Sequence, residues 1–177
     1  MKYFFNLFLY FLSFLFISSS IAQKKDWGLD ASLPKLTKIP EWIDADSLRD
    51  ALEYDSTNEI RGLIVDINED GTNDYIFECS LNVCGSNCQY YIIDGKTHRS
   101  LGLVGGSVIY FRKQFINGYP VINQYGHSSA ESGYWSTVVY DGNKYVAVND
   151  IWVTGETADS LFSSLKNVSF FPPLTNK

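Results

Sequence analysis

Nine consecutive residues, Asp66 to Asp74, combine oxygen-bearing side chains with the spacing of a cation-binding loop. Counting from Asp66, acidic or amide side chains stand at positions one, three and five, and a glycine follows where the chain must bend. Thr72, at position seven, would offer its main-chain carbonyl, and Asp74, at position nine, would coordinate directly or through water. Calcium takes about six to eight such oxygen ligands. The spacing therefore predicts a structural calcium site formed by Asp66, Asn68, Asp70, Thr72 and Asp74.

A solvated acidic turn that binds nothing is the alternative explanation of this loop, because Asp-Gly and Asn-Asp pairs are ordinary turn chemistry. Carboxylates crowded at alternate positions repel one another unless a cation lies between them, which favours metal binding. An EF-hand would place a bidentate glutamate where this chain has Phe77. The predicted flanks are strands as well, so the loop is not an EF-hand. Without that glutamate we expect a modest affinity, on the order of 10⁻⁴ to 10⁻³ M, as at extracellular calcium sites.

With strands on both sides, the loop resembles the calcium loops of FG-GAP and VCBS-type repeats, which occur in integrin-like propellers and in secreted bacterial proteins. The matching residues are Asp66, Asn68, Asp70, Gly71 and Asp74, followed by the apolar Tyr75, Ile76 and Phe77. The resemblance implies a calcium loop but no propeller, since the chain has room for at most about two blades of 40 to 50 residues.

A broader resemblance covers residues 60–148. Small exported bacterial proteins of uncharacterised function pair such an acidic loop with a downstream Cys-Gly-rich-Cys segment and a late Asp-Gly hairpin. The corresponding segments here are Cys84–Cys88 and Tyr140–Tyr145. This resemblance implies a stand-alone domain and no particular activity.

The stretch from Gly126 to Trp135 is small and polar, and it ends in two aromatic residues. We predict a recognition loop for a protein or glycan partner, with His127, Tyr134 and Trp135 as contact residues. Such a loop could also plug the active site of a secreted hydrolase such as a lysozyme. The alternative is a surface loop whose aromatic side chains re-enter the core. A hydrolase is the weakest interpretation, because a nucleophile, a base and an orienting group must converge in space, and the chain has no Gly-x-Ser-x-Gly or His-Glu-x-x-His motif.

Residues 1–22 have the character of a secretory signal peptide. Lys2 precedes an apolar stretch, Tyr3 to Ile17, which is shorter than the roughly 20 residues that a membrane anchor needs. The small residues Ser20 and Ala22 then suit cleavage before Gln23. We therefore predict export to the periplasm or the extracellular medium, with no membrane association after cleavage.

Three cysteines, Cys79, Cys84 and Cys88, would enter an oxidising compartment if the chain is exported. The turn-forming Gly-Ser-Asn between the last two predicts a disulfide between Cys84 and Cys88, with Cys79 left as a buried thiol. Pairing of Cys79 with Cys84 is the rival arrangement, and the sequence does not choose between them.

The chain is acidic, with a formal net charge of −6 at pH 7. An acidic surface argues against nucleic acids and anionic membranes as partners, and it is compatible with binding cations.

Short apolar strands separated by glycine-rich turns fill most of the chain. Residues 23–60 predict an extended lead-in and a short helix from Glu41 to Tyr54. Residues 61–177 predict a β-rich domain with hairpins at Asp94-Gly95 and Asp141-Gly142 and a closing helix from Thr157 to Lys166. Together they predict one globular unit of mainly β class (β-rich α+β), an antiparallel sheet of hairpins with one or two peripheral helices.

Overall fold

Strands dominate the chain, and they form two sheets that share one core. The computed structural model describes residues 26–29, 33–52, 59–79, 87–165 and 168–170. The predicted signal peptide and Cys84 lie outside these residues. No helix in the described ranges is long and apolar enough to cross a membrane.

The described residues form ten strands and two helices. In the described residues they are β1 (Trp27–Leu29), α1 (Ala45–Leu52), β2 (Gly62–Val65), β3 (Asp74–Glu78), β4 (Cys88–Ile93), β5 (Ser100–Gly106), β6 (Val108–Ile116), β7 (Tyr119–Ser129), β8 (Ser132–Tyr140), β9 (Tyr145–Thr154), α2 (Gly155–Ser164) and β10 (Ser169–Phe170).

These strands make a large sheet of six strands and a small sheet of four. The large sheet has the spatial order β10-β1-β6-β7-β8-β9, and the small sheet has the order β2-β3-β4-β5. All neighbouring strands are antiparallel except β1 and β10, which pair in parallel. Because antiparallel neighbours need only short turns, most of the order follows directly from the chain sequence.

The central core lies between the two sheets and takes side chains from both. Tyr90 and Ile92 from β4 lie in one cluster with Ile109 and Phe111 from β6 and with Ile122 from β7, and each is at most 1% exposed. Full burial of one such side chain contributes about 1.5 to 3 kcal/mol relative to exposure. The alternation of buried and exposed positions along these strands therefore sets which face of each sheet turns inward.

The two sheets are in direct backbone contact where the end of β5 meets β7. A Cβ atom on Gly106 would lie 2.3 Å from the Tyr125 carbonyl oxygen, so only glycine fits there. The next residue, Ser107, donates its N–H to the same carbonyl at 2.7 Å. This contact fixes the end of the small sheet against the middle of the large one.

Each helix covers the outer side of one sheet. Leu48 and Leu52 of α1 pack with Phe77, Cys79 and Ile93 of the small-sheet region. The side chains of α2 and the residues after it, including Phe162 and Leu165, pack on Tyr125, Trp135 and Val153 of the large sheet.

The structure confirms the predicted mainly β class, the antiparallel sheets and the peripheral helices. The predicted helices 41–54 and 157–166 are observed as α1 over 45–52 and α2 over 155–164. The prediction that residues Gly126 to Trp135 form a loop is wrong. These residues extend β7 and β8 to a turn at Ala130 and Glu131. Glycine and serine have a low propensity for strands. Here the packing of Tyr125 and Trp135 against α2 stabilises the strands in spite of that low propensity.

Candidate metal loop and neighbouring surfaces

The acidic loop joins β2 to β3 and is folded by its own side chains. Asp66 accepts the N–H of Asp70 on Oδ1 at 3.1 Å and the N–H of Gly71 on Oδ2 at 2.9 Å. Asn68 accepts the same Asp70 N–H on Oδ1 at 3.1 Å. Two predicted ligand oxygens, from Asp66 and Asn68, therefore lie within 3.1 Å of one nitrogen atom.

Asp70 takes part in the same turn and also forms an ion pair with Lys96. Its Oδ1 accepts the N–H of Thr72 at 2.8 Å, and its Oδ2 lies 3.2 Å from Lys96 Nζ. The N–H of Thr72, and then the Lys96 ammonium, hold the pKa of Asp70 below its usual value. Lys96 belongs to the turn between β4 and β5, so this ion pair links the acidic loop to the neighbouring hairpin.

Asp74 lies behind the loop rather than at its surface. Its side chain is fully buried, and its two oxygens accept the N–H of Ile67 and the N–H of Gly95, each at 2.9 Å. Burial, and to a smaller extent the charges of Asp94 and Asp66, raise the pKa of Asp74 to about 6, against the lowering effect of the two N–H donors. The structure thus gives Asp74 a role in joining two loops, and its predicted role as a ligand stays a prediction.

A second buried carboxylate, Asp94, was missed by the sequence analysis as a site residue. Its Oδ1 accepts from the N–H of Lys96 and from the N–H and hydroxyl of Thr97, and its Oδ2 accepts from Asn68 Nδ2 and the hydroxyl of Tyr119. Burial raises the pKa of Asp94, but these donors outweigh burial and leave the pKa below its usual value. Burial and the Asp94 acceptor raise the pKa of Tyr119. From the sequence, Asp94-Gly95 predicts only a hairpin turn. It does not indicate that the Asp94 side chain joins this turn to Asn68 and Tyr119.

The donor set of the loop fits a hard cation. The side-chain ligands offer only oxygen, and each of Asp66, Asn68 and Asp70 keeps further lone pairs after accepting its backbone N–H groups. No group of three His, Cys, Asp or Glu side chains in the described part of the chain is arranged as a metal centre. The predicted set differs from such a group, because it includes an amide and a main-chain carbonyl. Calcium binding here stays a prediction.

The three predicted contact residues of the β7–β8 hairpin have different surroundings. His127 is exposed, and its backbone N–H and C=O pair with the side-chain amide of Asn87 at 2.8 and 3.0 Å. Tyr134 is 49% exposed, whereas Trp135 is 8% exposed and its ring lies 5.8 Å from that of Tyr110. The alternative considered above, in which the aromatic side chains re-enter the core, therefore describes Trp135 but not Tyr134.

Beside this hairpin, a recess of about 320 Å³ opens between the two sheets, which we term the inter-sheet groove. It is lined by Asn87, Cys88, Gln89, Leu103, Val104, Gly105, Gly106, Gln124 and Gly126. Sequence patterns did not indicate this groove, because its walls come from strands that are distant along the chain.

The histidines and cysteines occupy separate places. His98 stacks on Trp42 with ring centroids 3.9 Å apart, beside the small sheet, while His127 lies near the tip of the β7–β8 hairpin. Neither histidine side chain hydrogen-bonds to a carboxylate within the described ranges. Cys79 is buried and directly follows β3, and Cys88 begins β4. Because Cys84 lies outside the described residues, its disulfide with Cys88 stays a prediction.

Comparisons of this chain with protein-family models, with curated proteins and with solved structures found no match.

Proposed function

We propose that this protein is an exported, calcium-stabilised β domain that acts as a non-catalytic binding module. The observation that supports it most is the convergence of Asp66 Oδ1 and Asn68 Oδ1 on the N–H of Asp70, each at 3.1 Å. A cation at this turn would also offset the charge of Asp66 and of the buried Asp74 behind it. Calcium would then stabilise the hairpin between β2 and β3 and, through Gly95, the neighbouring turn.

The proposal predicts a calcium-dependent rise in melting temperature. With a dissociation constant of about 1 mM, 10 mM calcium adds about 1.4 kcal/mol to the free energy of unfolding. For a domain of this size that is a rise of roughly 3 to 6 °C. Asp66→Ala and Asp70→Ala should abolish the rise, as measured by differential scanning fluorimetry in 10 mM calcium against chelator.

Asp141 provides a matched control for this experiment. Its Oδ1 accepts the N–H groups of Asn143 and Lys144 at 2.8 and 2.9 Å in the turn between β8 and β9. Asp141→Ala removes the same kind of turn contact outside the acidic loop, so it should lower the melting temperature and keep the full response to calcium. An unchanged melting temperature of the wild type in calcium and in chelator would refute the metal assignment.

Two further parts of the proposal concern export and the disulfide. The signal-peptide character of residues 1–22 supports export. The turn-forming Gly-Ser-Asn between Cys84 and Cys88 supports a disulfide between these two cysteines in an oxidising compartment. The disulfide would close a short loop that contains Asn87, whose side-chain amide pairs with the backbone of His127.

Inhibition of a secreted hydrolase is the second candidate function. It is favoured by the hairpin tip, where every residue from His127 to Glu131 is exposed. A steady-state lysozyme assay tests it: full enzymatic activity in the presence of excess protein would exclude inhibition of that enzyme.

A further inference from the structure

We propose that the inter-sheet groove, together with the aromatic pair Tyr134 and Trp152 beside it, binds a neutral carbohydrate chain. This inference rests on the proposed function as a binding module and names the class of ligand. It does not require the calcium site.

The aromatic pair lies on the same side of the large sheet as the groove. Gly126 of β7 pairs in register with Tyr134 of β8, which pairs with Trp152 of β9. Residues paired in this way point to the same face of a sheet. That face is the one covered by the small sheet, because Gln124, two residues before Gly126, accepts the N–H of Gly105 from β5 at 3.1 Å.

Both aromatic rings are available to a ligand. Tyr134 and Trp152 are each 49% exposed, and their centroids lie 4.6 Å apart in an edge-to-face arrangement. Gly126, which lies between Tyr134 and the groove, has no side chain, and the atom nearest to its Cβ position is Asn87 Oδ1 at 3.5 Å. The C–H groups of a sugar ring pack well on such aromatic faces, and a tyrosine or tryptophan combines this apolar face with a polar group.

The polar groups of the groove are held in place. The hydrogen bond to Gly105 fixes the amide of Gln124, and the paired bonds to His127 fix the amide of Asn87. Each amide keeps at least one N–H donor and one oxygen lone pair after these bonds, and these can pair with a neighbouring hydroxyl group. Preorganisation also lowers the entropy lost on binding.

The charge of the groove favours a neutral ligand. The chain carries a formal net charge of −6, yet none of the residues that line the groove is acidic or basic. On the large sheet, Asp150 is in register with the groove, because it pairs with Ser136 beside Gln124. A single carboxylate at this place would accept hydrogen bonds from sugar hydroxyls and would repel anions.

A protein partner is the less favoured occupant. The surface alternates aromatic rings with amides and bare glycine backbone, whereas the core of a protein interface is a more continuous apolar area. An added peptide strand would instead use β9, which forms an edge of the large sheet and carries exposed Val148 and Ile151.

Titration with defined oligosaccharides tests the proposal. We expect cellohexaose, maltohexaose or the hexamer of N-acetylglucosamine to give saturable binding below 10 mM by isothermal titration calorimetry. Trp152→Ala and Tyr134→Ala should each weaken it at least tenfold. Trp42→Ala is the matched control, since Trp42 is also partly exposed but lies against His98 and Tyr75 beside the small sheet. It should leave the affinity unchanged.

Two outcomes would overturn the carbohydrate assignment. One is the absence of saturable binding for all three hexamers with folded wild-type protein. The other is self-association, seen by light scattering, that Trp152→Ala abolishes, which would assign this surface to a second copy of the chain. Melting temperatures in calcium and in chelator are measured on the same samples. Failure of the carbohydrate titration with an intact calcium response would therefore refute this inference alone.

Discussion

At the scale of single residues, the most informative side chains are the buried carboxylates of Asp74 and Asp94. Neither side chain is exposed to bulk solvent. Both accept hydrogen bonds from backbone N–H groups of neighbouring loops, and these N–H groups would otherwise have no partner once buried. The two carboxylates differ because Asp94 receives more donors, including the hydroxyls of Thr97 and Tyr119. Asp74 receives two and therefore keeps a raised pKa.

The raised pKa of Asp74 predicts a pH dependence with a definite sign. Because the folded-state pKa of about 6 exceeds the ordinary value of 3.8, the folded protein binds this proton more tightly. Its contribution to stability is greatest at low pH and is lost as pH rises from about 4 through 6. Asn at this position does not titrate. The free energy of unfolding of Asp74→Asn minus that of wild type should therefore increase by roughly 2.4 kcal/mol between pH 4 and 7.

Urea denaturation at a series of pH values in metal-free buffer measures this difference. Carboxylates that do not interact with Asp74, such as Asp44 and Asp141 with their lowered pKa values, are common to both proteins and cancel. Parallel pH profiles of the two proteins would contradict the assignment.

At the scale of elements, the decisive feature is the contact between two loops of the small sheet. The turn from Asp94 to Arg99 lies against the acidic loop through the Lys96–Asp70 ion pair and through Gly95, whose N–H binds Asp74. The sequence predicts this glycine as part of a hairpin turn. The structure gives a different reason for it, because a Cβ atom at Gly95 would lie 1.8 Å from the carbonyl oxygen of Asn73.

Substitution of Gly95 should separate the two loops. Gly95→Ala forces a backbone atom of the acidic loop to move, so the free energy of unfolding should fall by about 3 kcal/mol, at the upper end of overpacking costs. Gly142→Ala is the control: Gly142 has a φ of +106° and open space around it, so the change costs only conformational strain of about 1 kcal/mol. Equal losses in the two variants, measured by urea denaturation, would show that contact with Asn73 does not determine the effect.

At the scale of the whole molecule, two sheets of unequal width leave part of the large sheet uncovered. The small sheet packs on the part of the large sheet that forms the central core. The rest of that face of the large sheet, near β8 and β9, carries the exposed Tyr134 and Trp152. The Asn87–His127 contact joins the segment before β4 to the β7–β8 hairpin. The proposed disulfide would therefore support the groove as well as the small sheet.

Export and oxidation of the whole chain lead to one further prediction. The mature protein recovered from the periplasm or medium should begin at Gln23 and should take up a single alkylating group when it is denatured without reductant. Intact-mass analysis and peptide mapping should place that group on Cys79. Alkylation of Cys88 would favour the rival pairing of Cys79 with Cys84, and a chain that keeps residues 1–22 would contradict cleavage.

The sequence by itself determined the mainly β class, the two peripheral helices and the acidic loop between strands, because these depend on local patterns of apolar, turn-forming and acidic residues. It did not identify Asp94 and Gly95 as partners of the acidic loop, and it did not predict the extension of β7 and β8. Only the tertiary structure decided these features and the position of the groove. The physical reason is that burial, close backbone approach and a cavity between sheets arise from residues that are far apart along the chain.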